Sequence, residues 1–153
     1  MNKFPLVSFI ISVFNGEEYI EQCIRSIFRQ SYQNIEIIIV DDSSTDSTKK
    51  ILNNLIKEKK LKIKLIRNKH NLGLTKSLNI AAKNASGVWL ARLDADDLSK
   101  SNRIKSQINF ANNNKQYSII GSSCEFINNE NQFLFYKIYP KTHREIKEAF
   151  EKI

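Results

Sequence analysis

The chain has 153 residues, of which 41% are hydrophobic and 26% charged, and it carries a formal net charge of +8 at pH 7. That is the make-up of an ordinary globular domain large enough to bury a core of its own, and no apolar run approaches the roughly 18 residues a membrane span requires. The opening "MNKFPLVSFIISVFN" has the lysine and short apolar stretch of a signal peptide. It lacks a small-residue cleavage site and runs into an acidic amphipathic segment, so the expected location is cytoplasmic.

In chain order the pattern is strand, helix, strand, helix, without a Gly/Ser- or Pro-rich linker. "LVSFIISV" (6–13) is a near-continuous apolar strand. "EEYIEQCIRSIFRQ" follows, with Ile20, Cys23, Ile24, Ile27 and Phe28 on one helical face and two glutamates in the expected first turn, where the helix dipole favours them. "IEIIIV" (35–40) predicts a second strand, and Ser44–Ile56 a helix with Ile51, Leu52, Leu55 and Ile56 inward and Ser, Thr and Asp available as caps. "LKIKLIR" (61–67) alternates as a strand. "LTKSLNIAAKNA" reads as a helix closed by Ser86 and Gly87. "VWLARL" (88–93) is a fourth strand, and Ser101–Ala111 a helix through Ile104 and Ile108. "YSIIGSSCEFI" and "QFLFYKIY" predict two more strands. "THREIKEAFEKI" opens with a Thr-x-x-Glu capping box and continues as a helix with Ile146, Ala149 and Phe150 aligned. Alternating βα units with apolar strands imply an α/β fold, a mostly parallel sheet with helices on both faces, built as one domain over 1–153.

Parallel sheets hold ligands beyond the carboxyl ends of their strands. Three strands here end in conspicuous polar groups, "SVFNG", "VDDSSTD" and "RLDADD". Asp94, Asp96 and Asp97 repel one another unless a cation or donors neutralise them, and Mg²⁺ or Mn²⁺ takes such oxygen ligands while phosphate and water complete its shell. Capping, with ion pairs to Arg103 or Lys105, is the plainer use of those acids. With Asp41 and Asp42 at the same edge, five carboxylates share one rim, more than capping needs. Phe14 offers either a flat face to a planar ring or simple core packing, and backbone groups near Ser12 and Val13 could hydrogen-bond such a ring. Gly73 with Lys76 at a helix start suits a phosphate, or else Lys76 is a solvated side chain.

Cys23 and Cys124 have no CxxC or metal-ligand spacing and are expected as buried free thiols, while His70 and His143 are expected at the surface or in loops. The lysine-rich 49–69 segment lacks interleaved aromatics and any reading motif. It is expected to be a solvated cationic face and not a nucleic-acid site, although it suits peripheral association with an anionic membrane surface.

Taken in order, "SFIISVFNGEEYIEQCIRSIFRQSYQNIEIIIVDDSSTDST", "NLGLTKSLNIAAKNASGVWLARLDADD" and "SNRIKSQINF" resemble the nucleotide-binding half of family 2 glycosyltransferases, which have the GT-A fold. The resemblance runs from about residue 5 to about 127. It implies that Ser12, Val13 and Phe14 border the base of a nucleotide-sugar, usually a uridine one, and that Asp41 accepts a hydrogen bond from the base with Asp42 close behind. Lys76, from its place at a helix start, is expected to serve the nucleotide's phosphates. Asp94 and Asp96 would form the Asp-x-Asp pair around Ala95, touching ribose and a Mn²⁺ or Mg²⁺ ion on the diphosphate. Many relatives have Tyr where Phe14 stands and Pro-Asp/Glu-Arg where this chain has Ser101, Asn102 and Arg103. The resemblance also implies a glycan or lipid-linked acceptor and a catalytic base in an acceptor-binding half beyond the Asp-x-Asp strand, while the excess of lysine suits work at the cytoplasmic face of a membrane. Ile153 stands about where that half begins, so the sequence reads either as a truncated member, the favoured expectation, or as a short homologue whose acceptor site is completed elsewhere; either way it is expected to bind donor. Glu145, Glu148 and Glu151 read as a solvated helix face, and no catalytic base is assigned.

Two other classes compete. "IVDDS" also resembles the start of receiver domains that hold Mg²⁺, but there the acid pair follows the first strand, and here a whole βα unit precedes it. A non-catalytic polyanion-binding module would use the 49–69 lysines. Nucleotidyl transfer would want a glycine-rich phosphate loop, which four glycines do not supply.

Overall fold

The computed structural model describes residues 4–58, 60 and 62–151. Leu61, Lys152 and Ile153, which the predicted strand and helix include, lie outside the described residues, as do the His143 and Phe150 side chains. The chain gathers into two compact units, Met1–Asn114 and Lys115–Ile153.

The first unit is a four-stranded parallel sheet in the order β3-β2-β1-β4, made of β1 (Val7–Val13), β2 (Ile35–Asp41), β3 (Lys62–Arg67) and β4 (Trp89–Arg92). Every residue of β1 and β2 is buried, which is why these two strands are near-continuous apolar runs. The edge strands alternate: β3 keeps Lys62, Lys64 and Arg67 exposed, and β4 buries Ala91 between exposed Leu90 and Arg92.

The period-2 geometry of a strand divides the core in two. Val7, Phe9, Ile11 and Val13 of β1 and Ile35, Ile37 and Ile39 of β2 pack with helices α1 (Ile20–Phe28), α2 (Thr48–Lys57) and α4 (Arg103–Asn113). Ile10, Ile38 and Val40 point the other way, onto Ala81 and Leu78 of α3 (Leu74–Lys83). Ile24, fully buried at the centre of α1, is worth about 1.5–3 kcal/mol in transfer terms.

At the N-terminal edge of the sheet lies a polar knot inside this core. The Ser8 hydroxyl donates to Glu36 Oε1 at 2.7 Å, Ser86 N–H donates to the same oxygen at 2.6 Å, and Gly87 N–H donates to Ser8 Oγ at 2.8 Å. Lys62 Nζ stands 3.6 Å from Glu36 Oε2. Burial pushes the Glu36 carboxyl up, but the Ser8 and Ser86 donors and the Lys62 charge outweigh it and hold the group below its ordinary value. Gly87 is required here: a Cβ would sit 2.5 Å from Ser8 Oγ and 2.7 Å from Ser8 N.

Several boundaries differ from the sequence reading. α1 starts at Ile20 and α2 at Thr48, because the residues before them are engaged elsewhere, as described below. In the second unit, only Cys124–Ile127 of the expected 117–127 strand is regular; it forms β5, antiparallel to β6 (Phe133–Lys137), with the Phe126 and Phe135 rings stacked at 4.6 Å. α5 (His143–Phe150) follows, and its Thr142–Glu145 capping box forms as expected. Cys23 is buried, but Cys124 is exposed, against expectation; both thiols are free.

Candidate functional site

Because all four strands run the same way, their carboxyl ends open onto one edge. Register places Val13 beside Asp41 and Asp41 beside Arg67, and the ladder runs on through Asp42 N–H to Val13 O at 2.8 Å and Asn68 N–H to Asp41 O at 2.9 Å. β4 ends three pairs lower, with Arg92 opposite Ile10, and its chain continues upward as Leu93 N–H donates to Ile10 O. The loops beginning at Phe14, Asp42, Asn68 and Leu93 therefore share one rim, as the three polar strand ends suggest.

The first two loops are laced together reciprocally. Ser44 Oγ accepts from Asn15 N–H at 3.0 Å, Thr48 Oγ1 from Gly16 N–H at 2.9 Å and Asp46 Oδ2 from Glu17 N–H at 3.0 Å. In return Asn15 Oδ1 accepts from Thr45 N–H and Glu17 Oε2 from Ser47 N–H, both at 2.9 Å. The hydroxyl-rich run after Asp42 thus holds the neighbouring loop first; only Asp46 Oδ1, accepting from Thr48 N–H at 3.0 Å, also caps α2. Glu17, expected in the first turn of α1, serves this lattice before the helix begins. Asn15 and Ser43 take left-handed backbone, φ 50° and 70°, to turn the chain there. Phe14, at the same exit, is 51% exposed, which rules out the core-packing alternative; Ser12 and Val13 behind it are buried.

The two adjacent aspartates have different surroundings. Asp42 is saturated: Oδ1 accepts from Asn68 Nδ2 at 2.7 Å and Leu72 N–H at 2.9 Å, and Oδ2 from Gly73 N–H at 2.8 Å. Burial pushes its carboxyl up, but these donors prevail and hold it below its ordinary value. Asp42 thus stands as an anion beside the start of α3, taking the N–H groups of Leu72 and of Gly73, the residue just before the helix. Gly73, at φ 85°, makes the turn that brings its N–H to Asp42. Lys76, in the next turn, is exposed.

Asp41 is fully buried but half satisfied. Its Oδ1 accepts from Ser44 N–H at 2.9 Å, while Oδ2 has no hydrogen-bond partner. Arg67 Nε lies 3.4 Å from Oδ2, close enough for charge attraction without a hydrogen bond, and the Arg67 guanidinium is anchored by donating to Ser44 O at 2.7 Å. A buried carboxylate oxygen left without a donor costs free energy of about 1–3 kcal/mol, which a ligand N–H would recover.

After β4, Asp94 meets Arg92 through two bonds, 3.0 Å to Nε and 3.1 Å to NH2, and not Arg103 or Lys105. Desolvation first, then the charges of Asp96 and Asp94, push the Asp97 carboxyl above its ordinary value, although the residue is exposed; Arg103 and Arg92 oppose this. Beneath the loop, burial and then the charges of Asp97, Asp96 and Asp94 push the Cys23 thiol up to about 12, so it is a protonated donor and no nucleophile. Among the described residues no group of three or more His, Cys, Asp or Glu side chains is arranged to hold a cation. Mg²⁺ commonly takes only one or two carboxylates, with phosphate oxygens and water at its remaining positions, so a larger cluster is not a requirement for that ion.

Asn15, Glu17, Arg67, Asn68 and Arg92 belong to this rim and are not among the residues singled out from sequence. Their signal is position alone, since each stands within a few residues of a strand's carboxyl end.

The family profile "Glycosyl transferase family 2" matches residues 8–152. The chain is 42% identical over 127 residues to an uncharacterized glycosyltransferase of Haemophilus influenzae, covering 83% of this chain and 39% of that one. It is 40% identical over 112 residues to the Escherichia coli UDP-Glc:alpha-D-GlcNAc-diphosphoundecaprenol beta-1,3-glucosyltransferase WfaP, covering 73% and 43%. Among solved structures it is similar to S. aureus TarS 1–349 in complex with UDP, with TM-score 0.67, 29% identity and coverage of 72% and 33%. It is also similar to the Pyrobaculum calidifontis mannosyltransferase PcManGT in complex with GDP-Man and Mn2+, with TM-score 0.66, 25% identity and coverage of 70% and 32%. The chain thus spans about two-fifths of the curated relatives and a third of the solved chains. Sheet, rim and sequence agree, and the chain belongs to glycosyltransferase family 2.

Proposed function

We propose that this chain binds the nucleotide half of a UDP-linked sugar and, as part of a family 2 glycosyltransferase, presents that sugar to a glycan or lipid-linked acceptor hydroxyl. The observation that carries the reading is the buried Oδ2 of Asp41, which has the Arg67 charge near it but no hydrogen-bond donor. Uracil offers an imide N–H flanked by carbonyls, so Asp41 accepts from the ring nitrogen while Phe14 lies against the ring face. Asp42 supports this indirectly by holding the 68–73 loop, which brings Lys76 to the rim as a cation for phosphate. Asp94 and Asp96 hold a divalent ion, Arg92 giving up its bond to Asp94 in exchange. When bound, Mn²⁺ or Mg²⁺ supplies positive charge to the departing diphosphate. TarS bound to UDP supports the donor class, and the WfaP name supports a lipid-linked diphosphate acceptor. Membership of the family sets aside the receiver and polyanion-module alternatives. No base is assigned: Glu145 completes the capping box, and Glu148 and Glu151 pair with Arg144 and Lys147 on exposed surface.

The test is calorimetric titration of UDP with and without Mn²⁺, on the chain and on Asp96→Ala. Metal-dependent binding that the variant loses is the expected result; a folded chain that ignores UDP and other nucleoside diphosphates overturns the reading.

A further inference from the structure

α1 carries an apolar face, yet three side chains spaced i, i+3, i+7 along it and its C-terminal extension are polar and buried: Cys23 at 0%, Ser26 at 2% and Gln30 at 4% exposure. Buried polar groups are retained where they are bonded, and here the partners fall on one segment. Cys23 Sγ donates to Asp94 O at 3.5 Å. Ser26 Oγ accepts from Ser99 N–H at 2.9 Å and donates back to Cys23 O at 2.6 Å. Gln30 Nε2 donates to Lys100 O at 2.7 Å and Ser99 Oγ at 3.2 Å, while its Oε1 accepts from Ile104 N–H at 3.3 Å. The chain just beyond continues the seam, with Ser31 N–H donating to Ser101 O at 2.7 Å.

We propose that this polar stripe positions the Asp94–Asp96 loop: α1 fixes the backbone that carries the two carboxylates, so affinity for a metal-bridged diphosphate depends on a helix that touches neither metal nor phosphate. Three carboxylates within four residues repel one another, and a loop free to relax would spread them. The stripe holds both ends of the segment, Asp94 at the strand exit and Ser99 to Ile104 at the start of α4. A metal site needs its ligands held to a fraction of an ångström, which is the work of such supporting bonds. Base recognition does not draw on the stripe, since Asp41 and Arg67 are fixed by Ser44 and the β1–β2–β3 ladder. Cys23, Ser26 and Gln30 are positioning residues and not catalytic ones.

This inference rests on the nucleotide and metal reading above, and the test separates the two. Gln30→Leu and Ser26→Ala are compared with the unchanged chain for affinity to UDP with Mn²⁺ by calorimetry, and to uridine without metal by ligand-observed NMR. The expected result is a loss of roughly 10–100-fold in affinity for UDP with Mn²⁺, the range for removing groups that orient metal ligands, with uridine affinity unchanged. Equal losses for both ligands would make the stripe merely structural, and no loss for either would make it irrelevant; each overturns the proposal. Ser26→Ala, which removes one hydroxyl, decides the matter should Gln30→Leu fail to fold. Failure of the unchanged chain to bind UDP with Mn²⁺ would instead remove the reading beneath, and this inference with it.

Discussion

Asp41 and Asp42 adjoin in sequence but are satisfied differently, one with a carboxylate oxygen that has no hydrogen-bond donor and the other with both oxygens bonded within its own protein. The consequence for Asp42 is measurable. Asparagine in its place would set an amide N–H against the donors of Leu72, Asn68 or Gly73, and about 1–3 kcal/mol of stability should be lost at neutral pH. Its folded-state pKa is depressed, so the carboxylate's contribution is complete above the unfolded value, near 4, and disappears as pH falls through the lower folded value. Urea unfolding of the chain and of Asp42→Asn should therefore converge as the solution is acidified. A gap that persists unchanged in strong acid would contradict this account. Sequence showed both aspartates at a strand end, but not which would be fully bonded, because that depends on where Asn68, Leu72 and Gly73 come to lie more than two dozen residues later.

At the scale of elements, the βα alternation and both buried central strands were legible, since all seven residues of β1 and of β2 are buried and their apolar runs say so. The helix starts were not. "SSTDST" has the composition of a cap, and its bonds to Asn15, Gly16 and Glu17 cross between loops, which no local pattern reveals. Glu36 was hidden for the same reason: one carboxylate in "IEIIIV" looks like an outward-facing residue, and its partners Ser8, Ser86 and Lys62 come from three separate segments. Gly87, read from sequence as a helix stop, proves to be where the chain entering β4 presses against β1. Gly87→Ala should destabilise the fold by about 1–3 kcal/mol, the usual cost of forcing atoms into a filled space, as read from the urea midpoint. An unchanged midpoint would mean that β4 can shift away from Ser8 at no cost.

For the whole molecule, the apolar clusters and every rim residue assigned to the nucleotide lie within Met1–Asn114, which also contains α4 in full. A chain ending at Asn114 should therefore unfold cooperatively and bind UDP with Mn²⁺ as the 153-residue chain does, checked by thermal melting and calorimetry side by side. Loss of the melting transition would show that the core needs the remaining residues. No helix among the described residues is long and apolar enough to cross a membrane. The alternation of β3 bears on how such molecules behave at high concentration. Among the described residues no strand pairs with its outer side in the sheet, and an unpaired edge is a template on which another polypeptide can add. Here that edge carries Lys62, Lys64 and Arg67, with 76% of the Lys62 side chain in solvent. Two copies approaching along it would meet cation to cation, so the strand that closes the sheet also discourages its growth into an aggregate.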